Sequence, residues 1–191
     1  MKKTIGISLL VLVLLMGFAG CSSSGGKEVA KVNYEQYMQI NLGMSYEEVC
    51  NLIGAEGEAV AEPEDETLKE YTWEAEAGQT KERSFILLGF REDVLVKKVQ
   101  AGVLKEDQFD ETEPRVDADK LAGITAGMPR SEVEGLVGSK GKLSSEILLD
   151  GGKTQTEYMY LGEGVDESAY VLITYVDDAV TDIYQNGIVK E

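Results

Sequence analysis

The chain has 191 residues, with 35 Asp and Glu against 18 Lys and Arg, so its formal net charge at pH 7 is −17. An acidic surface of this kind repels nucleic acid, so we expect no nucleic-acid partner. The sequence has no histidine, nucleophile elbow or glycine-rich phosphate loop, and we therefore expect no enzymatic activity, no catalytic residues, no cofactor and no metal site.

The N-terminus predicts export from the cytoplasm. Two lysines are followed by an apolar run over residues 5–18, which is too short for a transmembrane helix of about 20 residues. A basic start, a short apolar middle and small residues at the end are typical of a cleaved signal peptide. We assign the signal peptide to residues 1–20, with cleavage between Gly20 and Cys21.

Small residues directly before Cys21 resemble the lipobox of bacterial lipoproteins, in which the cysteine thiol is acylated, for instance with palmitate, and becomes the new N-terminus. Residues 21–31 contain the stretch SSSGG and predict a flexible tether. The expected location is the extracytoplasmic face of the cell membrane, where the protein is held by its lipid anchor. We expect it to be a monomer there.

Residues 43–54 read GMSYEEVCNLIG and predict a short helix. Ser45 and Glu48 have the spacing of a capping box, and Gly54 provides the left-handed stop. An apolar stripe predicts the buried face of this helix: Val49, Leu52 and Ile53. Cys50 lies at the boundary of this stripe.

A similar phrase, GMPRSEVEGLVG, occupies residues 127–138, and its apolar stripe consists of Val133, Leu136 and Val137. The offset of 84 extends backwards, so each copy predicts two short helices with a glycine hinge. These helix pairs span residues 33–53 around Gly43 and residues 117–137 around Gly127. Helices this short need a partner surface to be stable.

That surface is predicted by strands, of which residues 85–90 match residues 170–175 and residues 71–73 match residues 158–160. A further strand ends each copy, at residues 100–102 and 185–187, and the second copy also predicts a hairpin between residues 143–149 and 154–161. Acidic turns follow the strands at 85–90 and 170–175, at Glu92–Asp93 and Asp177–Asp178. Every second residue of a strand lies on the same face, and we expect the following residues to face the helices: Ile86, Leu88, Phe90, Val171, Ile173 and Tyr175. The alternative is that the residues between them face the helices.

The predicted fold class is α+β, with two tandem modules that each contain a helix-Gly-helix pair and an antiparallel sheet of about four strands. The first module covers residues 32–103 and the second residues 116–190. Residues 104–115 form an acidic linker between them. From the sequence, this linker is either a rigid bridge or a loose connection.

The twice-occurring motif Gly-Met-x-x-x-Glu-Val-x-x-Leu-x-Gly, at 43–54 and 127–138, resembles that of β-lactamase inhibitory protein and its relatives. Those relatives include the single-module SmpA/OmlA-type lipoproteins. The resemblance covers roughly residues 32–190. It implies two sheets that lie side by side and form a concave surface, with the helices behind them. In the inhibitor itself, this concave surface binds a β-lactamase.

Together these features predict a non-enzymatic, inhibitor-like lipoprotein that binds an envelope or secreted protein. Because the chain is acidic, we expect a basic partner. Candidate partner-binding residues are Tyr71, Trp73, Tyr158 and Tyr160, since Trp and Tyr carry much of the energy of interfaces. The alternative for these aromatics is that they fill the module cores. The alternative function is that of a structural or assembly lipoprotein of the cell envelope.

Overall fold

The computed structural model describes residues 31–76, 84–104, 109, 112–165 and 168–189. The predicted signal peptide with its cleavage site at Gly20 and Cys21, and nearly all of the predicted tether, lie outside the described residues. None of the helices in the described ranges is long and apolar enough to cross a membrane.

The fold is α+β, and the order helix, helix, then four strands occurs twice along the chain. The first half contains α1 (Tyr34–Gln39), α2 (Tyr46–Ile53), β1 (Glu58–Ala59), β2 (Lys69–Glu74), β3 (Phe85–Arg91) and β4 (Val94–Ala101). The second half contains α3 (Ala118–Gly123), α4 (Arg130–Val137), β5 (Lys142–Leu148), β6 (Thr154–Leu161), β7 (Tyr170–Val176) and β8 (Ala179–Asn186). Both helix pairs lie within the predicted ranges.

All eight strands form one antiparallel sheet in chain order, from β1 to β8. The two halves are joined by pairing of β4 with β5, in the register Lys97↔Ile147, Lys98↔Glu146 and Val99↔Ser145. The resemblance implied two sheets side by side. The structure shows instead a continuous ladder between them.

The helix ends follow the predicted chemistry. The backbone N–H of Ser45 donates to Glu48 Oε2 at 2.8 Å, and the N–H of Glu48 donates to Ser45 Oγ at 3.3 Å. Gly54 and Gly138 end α2 and α4 in the left-handed region, with φ of 83° and 82°. A side chain would be strained at this φ, which explains the glycine at the end of each phrase.

The acidic turns are two-residue hairpin turns with left-handed backbone. Glu92 and Asp93 have φ of 51° and 68°, and Asp177 and Asp178 have φ of 49° and 65°. Positive φ at both central residues is the geometry that matches the twist of the strands in a tight hairpin. The prediction of these turns is confirmed.

All four helices cover the same face of the sheet, where they bury two apolar cores. The predicted helix-facing set is confirmed, because Ile86, Leu88 and Phe90 are buried in the first core and Val171, Ile173 and Tyr175 in the second. Of the helix stripes, Val49, Ile53, Val133 and Val137 are buried. Cys50 is partly buried at the edge of the first core, as predicted.

The two leucines of the predicted stripes differ from this. Leu52 is partly buried against the first core, whereas Leu136 is 40% exposed and the prediction of its burial is wrong. The short helix α4 packs on the sheet through Val133 and Val137, which are one turn apart. Leu136 lies instead against α3, where a Cβ placed on Gly123 would be 3.1 Å from Leu136 Cδ2. The residue therefore contacts the neighbouring helix at the rim of the core.

The junction between the halves is reinforced from α1. The hydroxyl of Tyr37 donates to the Ser144 carbonyl at 2.9 Å, and that of Tyr34 donates to the Leu143 carbonyl at 3.1 Å. Both acceptors lie at the irregularity in the β5–β6 register between Leu143 and Ser145. These bonds tie a helix of the first half to a strand of the second, which favours a fixed mutual orientation.

We expect Tyr37→Phe to lower the free energy of unfolding by about 1–2 kcal/mol, because it leaves the buried Ser144 carbonyl without this donor. Tyr184→Phe, at a tyrosine that is 46% exposed, is the matched control and should change stability by no more than about 0.5 kcal/mol. Urea unfolding measures both. Equal effects of the two substitutions would contradict the role of the Tyr37 hydroxyl.

We expect Val133→Ala to cost about 2 kcal/mol, because it removes fully buried methyl groups and leaves a cavity. Leu136→Ala removes more atoms and should nevertheless cost only about 1 kcal/mol or less, since the side chain is largely in water. Thermal and urea unfolding of the two variants give the comparison. A larger loss for Leu136→Ala would mean that α4 packs through a different face.

Candidate functional site

The face of the sheet opposite the helices, called here the open face, carries no helix within the described part of the chain. Its members follow from the strand register, because directly paired residues share a face. Trp73 pairs with Ile86 on the helix side. The neighbouring pair Thr72↔Leu87 and its continuation Leu87↔Val99 therefore lie on the open face.

The open face is unusually apolar for the side of a sheet that carries no helix. Its apolar members are distributed over strands β3 to β8 and are partly exposed: Phe85, Leu87, Val99, Ile147, Met159, Leu161, Tyr170, Leu172 and Tyr184. Tyr184 is the most exposed of them, at 46%. Partly exposed apolar side chains grouped on one face favour a site of interaction with another molecule.

An ion pair occupies the first-half side of the open face. Lys97 Nζ lies 2.9 Å from Glu70 Oε1, and both side chains are largely buried. Glu70 and Lys97 pair with Gly89 from the two neighbouring strands. A Cβ atom on Gly89 would lie 3.2 Å from Lys97 Cβ. The missing side chain at Gly89 thus gives Lys97 room to reach Glu70 across β3, and each charge is neutralised by the other.

Glu157 lies near the centre of the second half of the open face, in the register row Ser145↔Glu157↔Thr174↔Asp182. Burial raises the pKa of the Glu157 carboxyl, a hydrogen bond from the Ser144 side chain partly offsets this, and the Asp182 carboxylate adds to the rise. Among the described residues, no lysine or arginine forms an ion pair with Glu157 or Asp182.

Two tyrosines form the outer edge of the open face. The rings of Tyr170 and Tyr184 lie 6.1 Å apart at an angle of 43°. Burial raises the pKa of the Tyr170 hydroxyl above its ordinary value, and the neighbouring Tyr184 adds to the rise. The tyrosine rings provide apolar contact area and their hydroxyls can form hydrogen bonds. This combination suits an interface with an apolar core and a hydrated polar rim.

Trp73 and Tyr160, two of the four aromatics selected from the sequence, lie in the cores on the helix side. Trp73 is 3% exposed and its Nε1–H donates to the Ala55 carbonyl at 3.0 Å. Tyr160 is 1% exposed and its hydroxyl lies 3.1 Å from that of Tyr175. Both therefore follow the alternative that the sequence left open, namely that they fill the core.

Tyr71 and Tyr158 are partly exposed but also lie on the helix side. The Tyr71 ring contacts Tyr46 at a centroid distance of 4.4 Å. The Tyr158 hydroxyl accepts a hydrogen bond from Arg130 at 2.6 Å, and the Arg130 guanidinium lies 3.7 Å from the centre of its ring. A partner-binding role for the four aromatics stays a prediction, and none of them lies on the open face.

The residues of the open face were not among the predicted binding residues, because most of them are aliphatic and the aromatics at equivalent positions of the two copies lie on the helix side. One signal was nevertheless present. The stretches FILLGF at 85–90 and YVLITY at 170–175 are apolar at both parities, whereas a strand with one face in water alternates. Continuous apolar character predicts that both faces of a strand are covered in the working protein.

The family model of the β-lactamase inhibitor (BLIP) matches residues 33–160 of the chain. A crystal structure of a candidate β-lactamase inhibitor protein from Streptococcus mutans is similar, with a TM-score of 0.52 and 16% sequence identity, over 84% of this chain and 92% of that one. No curated protein sequence matches. The structural likeness concerns the fold, and the family match covers the helix pairs and strands β1 to β6 described above. The chain belongs to the β-lactamase inhibitor (BLIP) family.

Proposed function

We propose that this protein is a non-enzymatic, inhibitor-like lipoprotein that binds a folded protein partner through the open face of its sheet. The observation that carries the proposal is the set of partly exposed apolar side chains that extends across strands β3 to β8 without a covering helix. Membership of an inhibitor family supports a protein as the partner.

The energetics favour a folded partner over a small ligand. The open-face side chains extend from backbone that is already ordered in an eight-stranded sheet, so binding requires little further ordering of this chain. Neighbouring leucine, methionine and tyrosine side chains on strands β6 to β8 match the apolar core of a protein interface. A small molecule would need a concave pocket that encloses most of its surface.

The proposal includes two modules, residues 32–103 and 116–190, which the linker 104–115 joins and which act as one rigid body. The pairing of β4 with β5 and the hydroxyl bonds from α1 support the fixed orientation. An envelope or secreted protein is the partner we propose. A β-lactamase is one such protein, and the name of the family supports testing it first.

The proposed site of action is the outer face of the cell membrane. The signal-like residues 1–20 and the small residues before Cys21 support acylation of that cysteine. The serine- and glycine-rich tether would then hold the folded body away from the lipid surface. Such an anchor keeps the open face available to partners outside the membrane.

We expect Leu172→Thr to weaken partner binding by about 1–3 kcal/mol, or roughly 5- to 150-fold, because it removes an apolar contact from between Met159 and Tyr184 on the open face. Threonine is favoured in strands, so the melting temperature should change little. The matched control is Leu136→Gln, on the exposed side of α4, which should bind as the parent protein does.

The measurement is quantitative capture of partners from the native envelope by the three proteins, followed by affinity measurement with each captured protein and with purified β-lactamases. Loss of binding with Leu136→Gln, or unchanged binding with Leu172→Thr, would contradict the open face as the binding surface. A partner that co-purifies in constant stoichiometry under all conditions would favour the structural or assembly role instead.

We expect Cys21→Ser to abolish acylation, because the hydroxyl cannot replace the thiol in lipoprotein processing. The protein should then leave the membrane fraction or accumulate with its signal peptide attached. Fractionation with mass spectrometry of the N-terminus detects either result, and Cys50→Ser is the control that should stay anchored. Processed Cys21→Ser protein that stays in the membrane would show that the lipid is not the anchor.

A further inference from the structure

We propose that the open face selects a partner segment that presents a lysine or arginine between apolar side chains, and that Glu157 and Asp182 receive this cation. The inference rests on the proposed function, since it assigns the chemistry of the partner that binds the same face. Three observations carry it: the placement of the two carboxylates, the absence of an ion pair to either of them among the described residues, and the apolar side chains around them. The destabilising effect of a partly buried Glu157 carboxylate supports it.

The placement follows from the register. Glu157 of β6 and Asp182 of β8 both pair with Thr174 of β7, from its two sides. Directly paired residues point to the same face, so both carboxylates project on the open face with the short Thr174 side chain between them. A cation above Thr174 would lie within reach of both carboxylates.

The carboxylates of the open face fall into two kinds. Glu70 is neutralised within the chain by Lys97 at 2.9 Å. Glu157 has no such partner within the described ranges, and its polar contact is a hydrogen bond from the Ser144 side chain. Asp182 likewise forms no ion pair in that part of the chain. The face is therefore complementary to positive charge at the position of Glu157 and Asp182.

The surroundings favour a cation with apolar neighbours. Met159 and Leu172 form the next directly paired row beside Glu157 and Thr174. Tyr184 continues this row on β8. Lys142 begins the row on β5, and its ammonium lies 5.7 Å from the centre of the Phe109 ring. When a partner covers these side chains, water is displaced and the attraction between Glu157 and a cation is strengthened. A basic residue without apolar neighbours would gain less, since the charges would stay hydrated.

The ionised Glu157 carboxylate also destabilises the folded protein. Its pKa is raised in the folded protein, so the folded state binds the proton more tightly than the unfolded state does. The ionised carboxylate therefore lowers stability at neutral pH, and this loss is recovered as the pH falls through the raised pKa. A group that opposes folding fits a role in binding better than a role in structure.

The test is selection of peptides from a random dodecapeptide library on the mature full-length chain, purified in detergent. Selected peptides are expected to carry Lys or Arg flanked by apolar residues. Glu157→Gln should weaken their binding about tenfold or more, and Asp182→Asn should weaken it to a smaller extent. Asp119→Asn, at an exposed acid on α3, is the matched control and should leave binding unchanged.

The melting temperature provides a second readout that a structural role would move in the opposite direction. Glu157→Gln should keep or raise it at neutral pH, because the amide carries no charge to desolvate. A lower melting temperature together with weaker binding would mean that Glu157 supports the fold, and the inference would be overturned.

The outcomes separate this inference from the proposed function. Peptides that lose binding with Leu172→Thr but keep it with Glu157→Gln, and that show no enrichment of basic residues, would refute the cation site and leave the open face as the binding surface. Peptides insensitive to both substitutions, or a selection without enrichment, would overturn the cation site. The proposed function concerns a folded partner and would still be decided by the capture experiment.

Discussion

The pairing of β4 with β5 is the interaction on which the rest of the structure depends. It converts two four-stranded halves into one sheet, although its register contains only three residue pairs. Lys98 of β4 reinforces the junction: its Nζ donates to the Ile40 carbonyl at 2.7 Å and lies 3.6 Å from Glu146 on β5. Burial lowers the pKa of Lys98, and Glu146 opposes that shift. A buried cation with such specific partners favours this arrangement of the halves over others.

The continuous ladder has a direct consequence for binding. Leu87 and Val99 of the first half and Met159 and Leu172 of the second lie on the same side of one sheet, so their apolar surface extends through both halves. With separate sheets, a partner would have to fix the orientation of the halves before it could bind both. Here that orientation is set by folding, and the associated loss of conformational entropy does not reduce the affinity.

Local features of the fold could be predicted from the sequence because they depend on neighbouring residues. The Ser45–Glu48 capping box and the left-handed turns at Glu92 and Asp177 are examples. The β4–β5 pairing could not be predicted in this way, since it joins residues about 50 positions apart and the repeat itself suggests two separate sheets. The candidate site depends on this same pairing. The alternation of the strand residues correctly placed Ile86 and Val171 toward the helices, and the residues between them define the open face. The predicted binding residues Trp73 and Tyr160 nevertheless lie in the cores.

The most direct test of partner binding by the open face is photo-crosslinking in the native envelope, with benzoylphenylalanine at either of two exposed positions. Tyr184 lies on the open face and is 46% exposed, and Leu136 lies on the helix side and is 40% exposed. The matched exposure makes the two yields comparable. We expect a defined protein adduct from position 184 and none from position 136. Adducts from position 136 alone, or equal yields from both, would contradict binding through the open face.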